Sequence, residues 1–207
     1  MYQYAEVAGG ARTAEHWAVD LEQRMALAEP NDTVRGVFCN GLVRLVRELC
    51  GEELEGHCLA AAGEAKFLDF FNYPITTYLR MVSTGMRLLA EKQGDVDAAL
   101  RRLGRQVVVD LGRSAAGRAL GMMNTGDTRS RLEGLRVAYR VLVSFGELEL
   151  AWTGPRSARV TLKRVFMPQA FHEGMLMAAF EERNIRGARV NGRQVGPLAN
   201  EYELSWE

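Results

Sequence analysis

Residues 139–163 read YRVLVSFGELELAWTGPRSARVTLK, and their spacing separates a sheet-containing chain from an all-helical one. Val141, Val143 and Phe145 share one phase of a two-residue alternation, and Leu148, Leu150 and Trp152 share another beyond Gly146. A period of two marks a strand with one face on a core, and a change of phase at a glycine predicts a turn or bulge. Gly154-Pro155 then punctuates the run, after which Ala158, Val160 and Leu162 alternate with Arg159, Thr161 and Lys163. This pattern predicts a second, antiparallel strand covering a core on one face only.

Met167-Pro168 ends the strands, because proline cannot donate to a ladder but suits the first turn of a helix. In that helix Phe171, Met175, Ala178 and Ala179 fall on one face, while Glu173, Glu181, Glu182 and Arg183 fall mostly outside it. It is expected to stop near Asn184. Residues 187–195 and 200–206 flank Gly196-Pro197, and the last run sets Tyr202, Leu204 and Trp206 against Glu201, Glu203 and Ser205. The chain is therefore predicted to end as strand, strand, helix, strand, strand.

Upstream the pattern changes to helical periods. Residues 130–138 read as a short helix leading into the first strand. Residues 96–120 read as the longest helical run, with Leu100, Leu103, Val107, Leu111 and Ala115 at steps of three and four. Gly104 and Gly112 lie near one another on this helix, each costing about 1 kcal/mol of propensity relative to alanine. Either a neighbouring element approaches closely there or the helix breaks, as Gly117 and Gly121 allow. Pro74 is placed to open a helix with Tyr78, Val82, Met86 and Leu89 inward. Residues 54–71 read as a less regular helix carrying Leu59, Ala62, Ala65 and Phe70. Asn31-Asp32-Thr33 offers caps to a helix with Val37, Leu42, Leu45, Val46 and Cys50 inward, ended by Gly51. Residues 1–30 read as a weak helix with Trp17, Leu21 and Met25, either an arm or an extra helix folded onto its own domain. Residues 31–207 form a single domain. The fold class is α+β: a helical N-terminal half packed on a mostly antiparallel sheet of about four strands, with a helix inserted between strand pairs.

The 207 residues carry twenty-six basic and twenty-six acidic side chains, so no global field gathers nucleic acid or an anionic membrane. No window reaches eighteen uninterrupted apolar residues and the start lacks a basic then apolar leader, from which a cytoplasmic location and no membrane partner are expected. Cys39, Cys50 and Cys58 are odd in number and lack CxxC spacing, which argues for reduced thiols.

Little in the chain points to catalysis. Cys50, His57 and Cys58 offer soft metal ligands, but a fourth ligand is missing, and no metal is assigned. His57 beside Cys58 makes no nucleophile and base, because adjacent side chains usually diverge. There is no Gly-x-Ser-x-Gly elbow and no phosphate loop with its lysine. Glu52-Glu53 and Glu181-Glu182 read as solvated faces. The expectation is a protein that is not an enzyme and carries no cofactor. Phe70, Phe71, Tyr73, Tyr78, Tyr139, Phe145 and Trp152 are candidates to line an apolar ligand pocket, with Arg118 to anchor an acid group; ordinary core packing, and a surface or ion-paired arginine, account for the same residues.

Leu103-Gly104-Arg105, Gly117-Arg118-Ala119-Leu120, Phe171-His172-Glu173-Gly174 and Tyr202-Glu203-Leu204-Ser205-Trp206 follow one another in an order that resembles a myxobacterial paralogous family of unknown function. The resemblance runs from Asp32-Thr33-Val34-Arg35-Gly36 to the end and includes Tyr73-Pro74. That family is similar in turn to the superfamily of haem nitric-oxide-binding domains, vinyl-reductase-like sensor domains of aromatic-responsive regulators, and vesicle-tethering TRAPP subunits. The relationship implies helices on an antiparallel sheet, commonly with dimerisation, and in some branches an apolar ligand cavity. A haem-binding member would need an axial histidine and a Tyr-x-Ser-x-Arg clamp; neither pattern is intact here. Cys50 and Cys58 share an eight-residue spacing with the aromatic-sensing domains but stand in the wrong third of the chain. Two functions are expected from these readings. The first is a regulatory or scaffolding module that binds a protein partner, including another copy of itself as a homodimer; the alternative is a sensor of a small apolar or aromatic ligand held between helices and sheet. Control of a small GTPase follows only by analogy with the tethering subunits.

Overall fold

Helix α1 (Ala14–Ala26) presents Trp17 and Leu21 to the body of the protein, where both are buried. The computed structural model describes residues 14–93, 95–114, 117–118, 127–182 and 184–207. After α1 a three-residue strand, β1 (Thr33–Arg35), pairs antiparallel with β2 (Asn72–Pro74), Val34 opposite Tyr73. Between them lie α2 (Gly36–Cys50) and α3 (Glu52–Ala62). Gly51 (φ 94°) and Gly63 (φ 71°) end these two helices in conformations that side-chain-bearing residues avoid.

Helix α4 (Ile75–Gln93) follows β2 directly and turns Tyr78, Val82, Met86 and Leu89 into the core, as their steps of four and three predict. Helix α5 (Val96–Arg113) starts at Asp95, whose carboxylate accepts from the Asp97 amide at 2.9 Å. Helix α6 (Thr128–Leu142) is capped in the same way by Asp127 on Ser130, also at 2.9 Å. Strands β3 (Glu147–Gly154) and β4 (Ser157–Lys163), helix α7 (Gln169–Glu181), and strands β5 (Arg189–Gly196) and β6 (Ala199–Ser205) complete the chain. The four long strands form an antiparallel sheet in the order β3-β4-β6-β5. The architecture is α+β, helices against an antiparallel sheet with α7 inserted between the strand pairs, as the sequence predicts.

One sheet face carries Ala158, Val160 and Leu162 of β4 and Tyr202 and Leu204 of β6, all buried. The other is a lattice of cross-strand ion pairs, among them Arg159 with Glu203 at 2.7 Å and Lys163 with Glu149 at 2.5 Å. Helix α7 lies on the apolar face and bridges to the helical half by packing on α5. Two glycines permit that crossing: a Cβ on Gly104 would collide with the Phe171 carbonyl, and one on Gly174 with the Arg101 carbonyl. Of the two explanations that the sequence leaves for Gly104, close backbone approach is the one found.

Three predicted elements need correction. Residues 139–145 are not a strand: α6 runs to Leu142, and only Val143 bridges to Val34. The stretch also satisfies a helical period, with Leu135, Ala138, Tyr139 and Leu142 on one face, and Gly146 (φ 69°) is the turn between a helix and a strand rather than a bulge within one. The helix predicted over 54–71 stops at Ala62, because Gly63 is left-handed. The run predicted over 96–120 ends at Arg113, where Ser114 becomes extended, and α4 with nineteen residues is longer than α5 with eighteen. Residues 115–116, with Ala115 of the predicted stripe, and the rest of that prediction beyond residue 118 lie outside the described residues, as does Gly121. No helix among the described residues is long and apolar enough to cross a membrane.

Candidate functional site

The buried side chains fall into two clusters. One is built by α1, α2, α4 and α5 with Phe166 and Phe171; the other is built by the sheet with Leu132, Leu176 and Phe180. Where they meet, packing leaves a cavity of about 130 Å³. Its helical wall is Phe38 of α2, Ile75 and Tyr78 of α4, and Val108 and Leu111 of α5. Leu135, Ala138, Tyr139 and Leu142 of α6 close a second side, and Leu148, Val160 and Leu162 supply the sheet. Phe166 and Met167 of the β4–α7 connection join Phe171, His172, Met175, Leu176 and Ala179 of α7 on the remaining side.

Three of the lining residues carry polar groups. His172 is buried, and its Nδ1 lies 3.2 Å from the Pro168 carbonyl one turn back. A carbonyl oxygen only accepts, so Nδ1 carries the proton of the neutral ring and Nε2 a lone pair. Burial lowers the imidazole pKa to about 3, outweighing the Pro168 hydrogen bond that favours the cation; the nearby Arg24 charge lowers it further. The ring is therefore neutral at ordinary pH. Tyr78 is fully buried and Tyr139 half-buried, and the hydroxyls of both lack a hydrogen-bond partner among the described residues. Burial pushes both phenols above their usual range, so both keep their protons. The Tyr139 hydroxyl lies beside Gly146.

The connection that contributes Phe166 and Met167 is fastened from the N-terminal side. Arg24 of α1 is buried, pairs with Asp20 at 2.7 Å, and directs Nη1 at the carbonyls of Val165, Phe166 and Met167 at 3.4 to 3.5 Å. Its Nη2 has no partner among the described residues. Next along the chain, Asp32 takes the Arg164 guanidinium in a two-pronged pair at 2.5 and 2.9 Å, and Arg164 itself sits at φ 52°.

Of the side chains that the sequence proposes for a pocket, Tyr78, Tyr139 and Phe145 meet at the cavity. The others lie elsewhere. Phe70 and Phe71 are 54% and 61% exposed. Tyr73 packs edge-on against Phe67 and accepts from the Leu68 amide at 3.0 Å. Arg118 is exposed and donates to the Arg113 carbonyl, and Trp152 stands between Trp206 and the Arg129 guanidinium. Sequence reasoning missed His172, Phe38 and Phe166 as lining. The stripe of Phe171, Met175 and Ala179 was the available signal: the inward face of α7 is the cavity wall.

Cys58 and His57 face different surroundings. Cys58 is buried while His57 is exposed, and burial raises the Cys58 thiol to about 11 and the Cys39 thiol to about 12. No cluster of metal-ligating side chains occurs among the described residues.

The fold has solved counterparts. An H-NOX protein from S. oneidensis in the Fe(II)NO ligation state is 12% identical, with a TM-score of 0.64, covering 84% of this chain and 99% of its own. An Fe(II) unliganded H-NOX protein from K. algicida is 14% identical, with a TM-score of 0.61, covering 84% of this chain and 96% of its own. At such identities the likeness is one of fold. No curated protein sequence matches. A family model described as "Protein of unknown function (DUF2378)" matches residues 27–207.

Proposed function

Because the chain belongs to the DUF2378 family of unknown function and is folded like H-NOX domains, we propose that it is a non-enzymatic sensor that takes one small, uncharged, apolar molecule into the cavity between helices and sheet. The carrying observation is the cavity itself, a void of about 130 Å³ lined almost entirely by hydrocarbon. A dry apolar cavity of about 150 Å³ is known to take up a single benzene ring, which sets the size of the occupant. Among the described residues no thiol or carboxylate lines it, which supports binding rather than turnover.

The residues present do not fit a haem, the group implied by the H-NOX relatives' iron. Four pyrrole rings exceed a void of one-ring size, and among the described residues no arginine or lysine lines it to meet two propionates. The occupant favoured instead is a far smaller molecule whose binding energy is mainly apolar burial.

Thermal unfolding with and without toluene tests this reading. A ligand bound only by the folded state stabilises it by about 2.7 kcal/mol at one hundred times its Kd. At roughly 2–4 °C per kcal/mol for a chain of this size, the midpoint rises by roughly 5–10 °C. Filling the void with Ala179→Leu removes the rise. No shift with toluene or any other one-ring apolar compound would end the sensor reading.

A second reading, self-association as a homodimer, is supported by Leu68, Phe70 and Phe71, three exposed apolar side chains on one connection. Sedimentation of the full chain tests it: a dimer that Phe70→Ser with Phe71→Ser converts to monomer supports it, and a monomeric wild type rules it out.

A further inference from the structure

The two rims of the long sheet are finished differently. In the order β3-β4-β6-β5 the outer strands are β3 and β5, each of eight residues. A rim strand turns half of its amide and carbonyl groups away from the ladder, and proteins ordinarily cover or disrupt that row. At β5 this is done by α7. The Gly192 amide donates to the Glu173 carboxylate at 3.1 Å, and the Gly192 carbonyl accepts from the Gln169 side-chain amide at 2.5 Å. A Cβ on Gly192 would strike Tyr202 and that carboxylate, so the glycine admits the plug. At β3, among the described residues, nothing bonds to the outward amides and carbonyls. Helix α6 reaches the strand through Arg129, whose guanidinium lies over the Trp152 ring. Residues 147–153 hold no lysine, no proline and no inward-facing charge, the usual deterrents to a further strand.

Charge decides what fits there. On the solvent face the strands alternate in sign: β3 carries Glu147 and Glu149, β4 Arg159 and Lys163, β6 Glu201 and Glu203, and β5 Arg189 and Arg193. Glu201 of β6 lies between bases, with Arg159 at 3.7 Å on one side and Arg193 at 2.9 Å on the other. The acids of β3 have a base on the β4 side alone, Lys163, which is opposite Glu147 in register and 2.5 Å from Glu149. The next column of the series is basic. On the opposite face Leu148, Leu150 and Trp152 are half-buried, where Ala158, Val160 and Leu162 of β4 are buried, so an added strand covers them with apolar side chains. A second copy of the chain does not supply such a strand: its β3 would set acid beside acid, and its β5, although basic, is plugged.

We propose that β3 is a docking edge that takes an extended segment of a partner protein as a fifth strand, basic on the solvent side and apolar on the inner side.

The experiment is titration of the full chain with three synthetic eight-residue peptides, read by calorimetry and by amide exchange. The first alternates lysine with valine. The second has glutamate in place of lysine, and the third keeps the lysines but has proline in place of valine, which preserves charge and removes the capacity to pair. The first peptide is expected to bind and to slow exchange at alternate amides of β3; the other two do not bind. Glu147→Lys with Glu149→Lys weakens the first peptide on the order of tenfold and transfers binding to the glutamate peptide. Both positions are exposed; should the two lysines disturb the sheet, Glu147→Gln with Glu149→Gln is expected to weaken the first peptide by a smaller factor. Failure of the first peptide to bind, equal binding of any two peptides, an unchanged preference in the variants, or slowing outside β3 would overturn the proposal. Slow exchange throughout β3 in the free protein would overturn it as well, by showing the edge already occupied by a second copy or by the chain itself.

Discussion

At the scale of single residues, His172 links structure to solution behaviour. Its folded pKa of about 3 lies below the ordinary value of 6.5. Between those values the unfolded chain binds a proton that the native chain does not, so native stability falls as pH drops through that window. The slope approaches about 1.4 kcal/mol per pH unit at its steepest, and above pH 6.5 the contribution is constant. Urea unfolding at pH 7, 6, 5 and 4 is expected to show this decline, and His172→Phe to remove that part of it. A variant with the same pH slope as the wild type would mean that the imidazole takes up its proton without unfolding. The residue was visible in the sequence as the histidine of Phe171-His172-Glu173-Gly174, but its role was not. One buried histidine reads like any other until the carbonyl one turn back fixes its tautomer.

Among the elements, the α5–α7 crossing shows what a helical period conveys and what it omits. Gly104 and Gly112 lie eight residues apart on α5 and look equivalent in sequence. Gly104 meets the α7 backbone, whereas the nearest atom to a Cβ on Gly112 is the Glu182 carboxylate oxygen at 3.9 Å. Gly104→Ala and Gly174→Ala are expected to cost about 1–3 kcal/mol or more by prying the helices apart. Gly112→Ala is expected to stabilise by up to about 1 kcal/mol through helix propensity. Equal effects in urea unfolding would contradict the crossing. Strands β3 to β6 and helices α2 and α4 were legible because each buries one face for long enough to set a period. Strands β1 and β2 were not, since three residues define no alternation. Residues 139–145 misled because a short apolar run satisfies both periods, and the sequence contains the turn at Gly146 without saying what precedes it. Phe70 and Phe71, read as pocket, sit on a connection that Gly63 cuts off from α3.

For the molecule as a whole, two fastenings converge on residues 164–167: Arg24 on three carbonyls and Asp32 on Arg164. Phe166 and Met167 of that connection line the cavity, so α1, all of which precedes the family-matched residues 27–207, bears on the site without touching the occupant. Arg24→Met frees the three carbonyls and leaves Asp20 without its cation. Amide exchange is expected to quicken at residues 165–167 and in α1, and toluene affinity to change; unaltered exchange in both segments would show the clamp to be idle. The seam between the two core clusters has one more consequence. A void is volume that the folded chain holds and the unfolded chain gives back, so hydrostatic pressure acts on it directly. The protein is expected to unfold at a lower pressure than its Ala179→Leu variant even where heat finds the two alike, and an occupant of the right size should make the wild type equally hard to compress.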